Sequence, residues 1–245
     1  MFRRVVMAGV AAAAVLHAAP VQAQDPGAET LPRFYIGIQG QYARPVGEFR
    51  DYVKHGGGLN INFAWPVQRA SALALRADGG FIVYGSETRR VCFSTTVGCR
   101  IQLDLTTTNS IAYLNAGPQL MLPHGPVRPY VNAGIGGSYF GTSSSIDGVD
   151  GNDDDFASTT NFDDVTLAWT GGSGLLISLS RGSTPVLLDV GLRYHGNGEV
   201  EYLKKGDIQD NPDGTITISP TRSQADLLTF QIGVQIGARP GGTTF

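Results

Sequence analysis

Near the end of the chain, apolar and polar positions alternate with period two. Leu228, Phe230, Ile232, Val234 and Ile236 fall on one face, and Thr229, Gln231, Gly233, Gln235 and Gly237 on the other. This pattern predicts a β-strand of about 10 residues, the length that crosses a bilayer at a tilt. Its polar face holds amides and glycine, with no charge suited to bulk water. A soluble sandwich also shows one apolar face, so a single strand decides little. The recurrence of the pattern along the chain decides more.

The first strand is expected over 34–43, with Phe34, Ile36, Ile38 and Tyr42 opposite Gly37, Gln39 and Gln41. Its polar face matches that of the last strand, as it should if the two meet to close a barrel. The second, 58–65, sets Leu59, Ile61, Phe63 and Trp65 against Asn60, Asn62 and Ala64. The third, 71–84, puts Leu73, Leu75, Ala77, Phe81 and Val83 on one face, with Arg76 and Asp78 on the other. In the fourth, Leu103 and Leu105 are odd-numbered, whereas Ala112, Leu114, Ala116 and Leu120 are even. A change of face within 106–110, by a β-bulge or by a later start of the strand, would reconcile them. The fifth opposes Val131, Ala133, Ile135 and Tyr139 to Asn132, Gly134, Gly136 and Ser138. The sixth, 167–179, is rich in glycine and begins near Trp169. The seventh sets Leu188, Val190, Leu192 and Tyr194 against Asp189, Gly191, Arg193 and His195.

Short connections at 66–70, 122–126 and 180–185 all carry proline, and long ones at 44–57, 87–100, 142–165 and 196–224 carry most of the charge. The last contains the turn signal Asn211-Pro-Asp-Gly214. Long and short connections alternate from first to last. The expected fold is all-β: an eight-stranded antiparallel up-and-down transmembrane β-barrel, with short turns and both termini on one rim and long loops on the other.

A secreted soluble barrel is the alternative, with its large apolar side chains inside. Charge argues against it. The minor face carries Gly, Gln, Asn and Ser with few charges, where a water-facing strand would carry Lys and Glu. Arg76 and Asp78 share that face, as do Asp189 and Arg193. Opposite charges two or four residues apart on one face suit a narrow, dry lumen in which each must find a partner. Phe34, Tyr42, Trp65, Tyr84, Tyr139, Trp169 and Tyr194, near strand ends, are expected to form interfacial girdles.

The N-terminus supplies the compartment. Arg3 and Arg4, an apolar run from Val5 to Leu16 and the small-x-small triplet Val21-Gln-Ala23 read as a secretory signal. The organisation is then signal peptide 1–23, periplasmic lead-in 24–33, barrel 34–238 and tail 239–245. Without Arg3 and Arg4 the 18 basic residues fall to 16 against 21 acidic ones, a net charge of −5. With no basic patch, nucleic acid is not an expected partner. Beyond the signal, no stretch has the length of apolar sequence that a spanning helix needs. In an exported chain the neighbouring Cys92 and Cys99 read as a disulfide across a small loop; a metal site would need further ligands, and no His is near.

Signal peptide, eight alternating strands and polar interior together resemble the small outer-membrane β-barrels of diderm bacteria, of the OmpA, OmpX and OmpW type. The resemblance covers nearly the whole chain after the signal and is one of pattern. It implies location in the outer membrane among lipid and lipopolysaccharide, insertion by the barrel-assembly machinery, and loops available to an extracellular ligand. Family members often end on a phenylalanine that this machinery reads. Here Phe245 is terminal, but Pro240-Gly-Gly-Thr-Thr244 separates it from the last strand. No peptidoglycan-binding domain follows the barrel, as it does in longer members.

Three features invite a chemical reading. Arg193-Tyr-His-Gly-Asn-Gly198 partly resembles the His-x-Ser-Asn stretch of outer-membrane lipid A deacylases, with His195 and Asn197 present and the serine nucleophile absent. No catalytic residue or cofactor is therefore assigned. The acidic run from Asp147 to Asp155 lacks the spacing and terminal glutamate of a calcium loop, so no metal ligand is assigned either. Arg76, Asp78, Asp189, Arg193 and His195 form an expected lumen charge network, which either plugs the barrel or gates a narrow pore. The expected role is structural or surface-interacting, with a porin-like channel second and a lipid-modifying enzyme third.

Overall fold

The computed structural model describes residues 32–68, 72–92, 102–147, 155–180, 184–204, 206–211 and 215–238. The expected signal peptide, the tail and the Cys92–Cys99 disulfide lie outside the described residues, Cys92 being described only as the backbone end of its strand.

Eight strands close into one antiparallel barrel: β1 (Phe34–Pro45), β2 (Gly56–Pro66), β3 (Leu73–Cys92), β4 (Gln102–Met121), β5 (Val127–Asp147), β6 (Asp155–Ser180), β7 (Val186–Asn197) and β12 (Leu227–Ala238). Each pairs with its neighbour in sequence, and β12 returns to β1 in register from Phe34↔Ala238 to Pro45↔Leu227. This is the eight-stranded up-and-down barrel that the alternation predicts. Between β7 and β12 the chain forms two ribbons beyond the barrel, β8 (Glu199–Tyr202) with β11 (Thr221–Gln224) and β9 (Ile208–Asp210) with β10 (Ile216–Ile218). Between β1 and β2 a single helical turn, α1 (Phe49–Tyr52), tucks Phe49 inward.

Two expectations are corrected. The stretches 87–100 and 142–165 are read from sequence as loops, yet 87–92 of the first and 142–147 and 155–165 of the second are strand: β3 and β4 run for 20 residues each, β5 for 21 and β6 for 26. A tilted membrane crossing takes about 9–11 residues, so these four strands continue well past it. The second correction concerns the fourth strand, where no change of face occurs within 106–110. The odd positions Asn109, Ile111, Tyr113, Asn115 and Gln119 are all buried in the interior. Leu105 keeps that parity and lines the barrel mouth. The bulge sits across the ladder on β3, where Val83↔Ser110 is followed by Gly85↔Asn109 and Tyr84 is the extra residue.

Candidate functional site

Midway along the barrel strands the inward face is mostly polar or small, with larger apolar side chains inward only toward the two ends, and the outward face is apolar. Ile36, Ile38, Leu59, Ile61, Leu75, Leu114, Ile135, Val165, Leu167, Phe230 and Ile232 are all exposed, Leu167 at 87%. Gln39, Asn60, Asn62, Arg76, Asp78, Asn115, Asp189, Arg193 and Gln235 are buried. A soluble barrel has the opposite arrangement. Only a hydrocarbon solvent makes this one favourable, and barrel closure satisfies the backbone groups that hydrocarbon cannot. The chain is a transmembrane β-barrel.

The outward aromatics of this membrane barrel sit toward the two rims. Phe34 stacks on Phe63 (5.5 Å) on the short-turn side, and Trp169 lies 5.2 Å from Tyr194 toward the loop side. Tyr84 departs from the expected girdle. It points inward and is 8% exposed, packed edge-on against Phe49.

The barrel interior is built in three storeys. The short-turn end is closed by Tyr35, Ala64, Met121, Tyr130, Leu176 and Leu187. The loop end is closed by a larger apolar cluster in which Phe49 meets Tyr84, Phe140 and Tyr202 edge-to-face at 5.5, 6.4 and 5.0 Å. Burial among these rings raises the pKa of the Tyr202 hydroxyl, which is 2.9 Å from Ser223 Oγ. Between the two clusters lies the polar layer, where all five residues of the expected network are found.

Within that layer Asp78 is the shared acceptor. Arg76 Nε and Nη2 reach it at 3.0 and 2.9 Å, and Arg193 Nη2 reaches its Oδ1 at 2.9 Å. Sharing a face of β7 does not pair Asp189 with Arg193, which reaches across the lumen to Asp78 instead. Among the described residues Asp189 forms no ion pair. Neutral donors hold it: Tyr130 Oη at 2.8 Å, Gln39 Nε2 at 2.9 Å and Gln235 Nε2 at 2.7 Å. Gly174 and Gly191 make room for that tyrosine, since a Cβ at either would stand 2.5 or 2.7 Å from its hydroxyl oxygen. Asn60 donates to Gln39 (2.8 Å), and Arg76 Nη1 to Gln119 (2.9 Å), so the amides bind the charged groups into one web. Arg193 Nε and Nη1 are buried without a hydrogen-bond partner.

His195 lies in this layer, 1% exposed, with Nε2 3.3 Å from Thr229 Oγ1 and its ring 4.8 Å from that of Tyr113. Thr229 Oγ1 in turn donates to the Arg193 carbonyl (3.2 Å). Position 196 points the other way, and a Cβ on Gly196 would collide with the Trp169 indole. Residues 195 and 196 thus face opposite sides of the wall, and no base–nucleophile pair could form between them. Among the described residues no group of three or more His, Cys, Asp or Glu side chains is gathered for a metal.

Charge alone singled out Arg76, Asp78, Asp189 and Arg193. It missed the partners that hold them: Gln39, Asn60, Gln119, Tyr130 and Gln235. Their signal was inward parity alone, since the strands of Gln39, Asn60, Gln119 and Gln235 carry no charge on that face.

No family model matches the chain, and no curated protein matches it. Similar solved structures include Neisserial surface protein A (14% identity, TM-score 0.46, covering 83% of this chain and 96% of that one). The attachment invasion locus protein Ail of Yersinia pestis is 13% identical with a TM-score of 0.39, covering 85% and 98%. The N-terminal β-barrel domain of Pseudomonas aeruginosa OprF is 13% identical with a TM-score of 0.32, covering 82% and 96%. Likeness at this level extends to barrel shape and no further.

Proposed function

We propose that the chain is an outer-membrane protein with a structural and surface-interacting role, non-enzymatic, its barrel serving as a plugged anchor. The long strands β3–β6 and the ribbons β8–β11 and β9–β10 would then form a platform outside the cell. The observation that carries this reading is the combination of a lumen closed at three levels with four strands of 20 to 26 residues, about twice the crossing length, that extend on the loop side. A lipid-modifying role is disfavoured by the position of His195, sealed in the interior and away from lipid. Export by residues 1–23, insertion by the barrel-assembly machinery and contact with lipopolysaccharide belong to the same proposal. So does an extracellular ligand at the loops. The second reading, a narrow channel for ions or small solutes, draws on the buried amides of Asn62 and Asn115, which lack hydrogen-bond partners in the polar layer.

Orientation is the part most open to test. Arg222 lies on β11 of the loop-side excursion, 65% of its side chain exposed, and His124 is exposed in a short turn. Arg222→Cys should react with a membrane-impermeant maleimide on intact cells, and His124→Cys only after lysis, with the parent chain setting the background of Cys92 and Cys99. Labelling at 124 and protection at 222 would overturn the outward display.

A further inference from the structure

A cavity of about 440 Å³ opens at the loop end, above the aromatic cluster, between the extended walls of β3–β6 and the segments 52–55, 203–204 and 206–208. Its size falls in the range of small-molecule sites. The lining has two sides of different chemistry. One wall is polar and uncharged: Asn109 on β4, Thr142 and Ser144 on β5, and Asn161 on β6. The lining also includes Val53, Leu105, Leu203 and Ile208 and the ring of Tyr52, which is 44% exposed and has Lys204 Nζ 5.1 Å from its centroid.

Two β-bulges aim side chains into this one space. The extra residue at Tyr84 moves the inward face of β3 from even to odd positions, so Glu87 and Arg89 line the cavity. On β6, Thr142↔Phe162 is followed by Ser143↔Thr160, and the extra residue is Asn161 itself. Its Nδ2 donates to Ser144 Oγ at 2.6 Å, and its carbonyl oxygen remains an acceptor. Bulges on two separate strands, converging on one cavity, mark a shaped site.

Charge narrows the ligand. Arg89 is held by Glu87 (Nε–Oε1 3.0 Å), and Lys204 by Asp207 (Nζ–Oδ1 3.0 Å). An anion would find Lys54 as the one described lining cation outside an ion pair. The wall's groups partly satisfy one another (Thr142 Oγ1 donates to Asn109 at 2.7 Å), but an acyl chain would cover the Asn161 carbonyl oxygen without giving it a hydrogen bond, which is costly. A sugar ring suits both sides, with its hydroxyls on the neutral wall and its apolar C–H face on an aromatic ring. We infer that this cavity is a binding site for a neutral saccharide, one or two rings in size. The inference rests on the proposed outward display only for where the sugar comes from, and binding itself can be measured without it.

The test uses the full mature chain in phosphatidylcholine nanodiscs and saturation-transfer-difference NMR. The probes are glucose, galactose, N-acetylglucosamine and neutral disaccharides, with glucose 6-phosphate and decanoate as further arms. Millimolar binding of at least one neutral sugar is expected, weakened about ten-fold or more by Tyr52→Ala. Tyr52→Phe, which keeps the ring, should retain binding within about three-fold, and Asn161→Leu should lose it. Unchanged heat-modifiable gel mobility certifies the fold of each variant. Competition from lipopolysaccharide added to the nanodisc assigns the sugar to the membrane's own surface, and its absence to glycan from elsewhere. The inference is overturned if no neutral sugar binds at roughly tens of millimolar, or if binding ignores Tyr52→Ala. Salt-sensitive binding of the phosphorylated sugar alone, or of decanoate alone, also overturns it. A chain that binds sugar but fails the Arg222 labelling keeps the site and loses the display.

Discussion

Asp78 neutralises two guanidinium groups at once, and both are nearly sealed from solvent. Removing it leaves two buried cations against one distant carboxylate, and breaking a buried pair from one side costs about 3–5 kcal/mol. Asp78→Ala is therefore expected to lower the unfolding free energy by about that amount, measured by urea titration in lipid vesicles. Arg193→Met should cost less, because Asp78 keeps Arg76 and because Arg193 Nε and Nη1 are already without partners. If Arg193→Met proves the more damaging of the two, the assignment of Asp78 as the hub fails. Asp189→Asn tests the neutral cradle. Gln39 and Gln235 both donate to Oδ2 and Tyr130 to Oδ1, so an amide nitrogen at either position faces a donor. A loss of about 1–3 kcal/mol is expected, and a neutral result would mean these donors are free to turn. At this scale the charges and the Arg76–Asp78 pair were legible in the sequence, and the partners of Asp189 and Arg193 were not. Asp189 and Arg193, four apart on one strand, share a face, but Arg193 spans the lumen to β3, and only the barrel's curvature sets which partner is in reach.

The same limit governs the elements. Where lipid lies on one side, alternation marks each strand clearly. Where β3–β6 leave the membrane, both faces meet water or the wide mouth, and runs such as Thr106-Thr-Thr-Asn-Ser110 and Ser158-Thr-Thr-Asn161 show no apolar phase. These runs remain strands because they lengthen an existing ladder, and threonine suits a pleated surface. They carry no periodic signal, so the first read as a change of face or a late strand start and the second as loop. Likewise the odd phase of Leu103 and Leu105 suggested a bulge or a late start in β4, when Leu105 lines the mouth and the bulge lies at Tyr84 on β3. The helical turn α1 was hidden inside a charged loop, Glu48-Phe-Arg-Asp-Tyr-Val-Lys54, whose one fully buried ring is Phe49. Phe49→Ala should cost about 3–5 kcal/mol, the range for truncating a buried phenylalanine. It should also make the loop-end segments 46–55 and 199–207 more open to protease while the membrane crossing stays intact. Equal protease resistance in parent and variant would show that α1 does not cap the mouth.

For the molecule as a whole, the placement of polar residues inside and apolar ones outside requires a bilayer, and the strand count fixes a lumen that side chains can fill. Both features were visible in the alternation of eight short segments. Whether the lumen is closed was not, because sealing depends on Phe49 and Tyr202, which enter from loops, and on Tyr113 and Tyr130, whose inward parity was not separated from that of their smaller neighbours. The central claim is a transmembrane barrel plugged by three stacked layers. It is tested most directly by single-channel recording of the refolded chain in planar bilayers, with folding confirmed by heat-modifiable mobility. The plugged barrel predicts no discrete openings in the parent chain. Stable unitary conductance from the folded parent, altered by Arg193→Met, would contradict it and place an ion path through the polar layer.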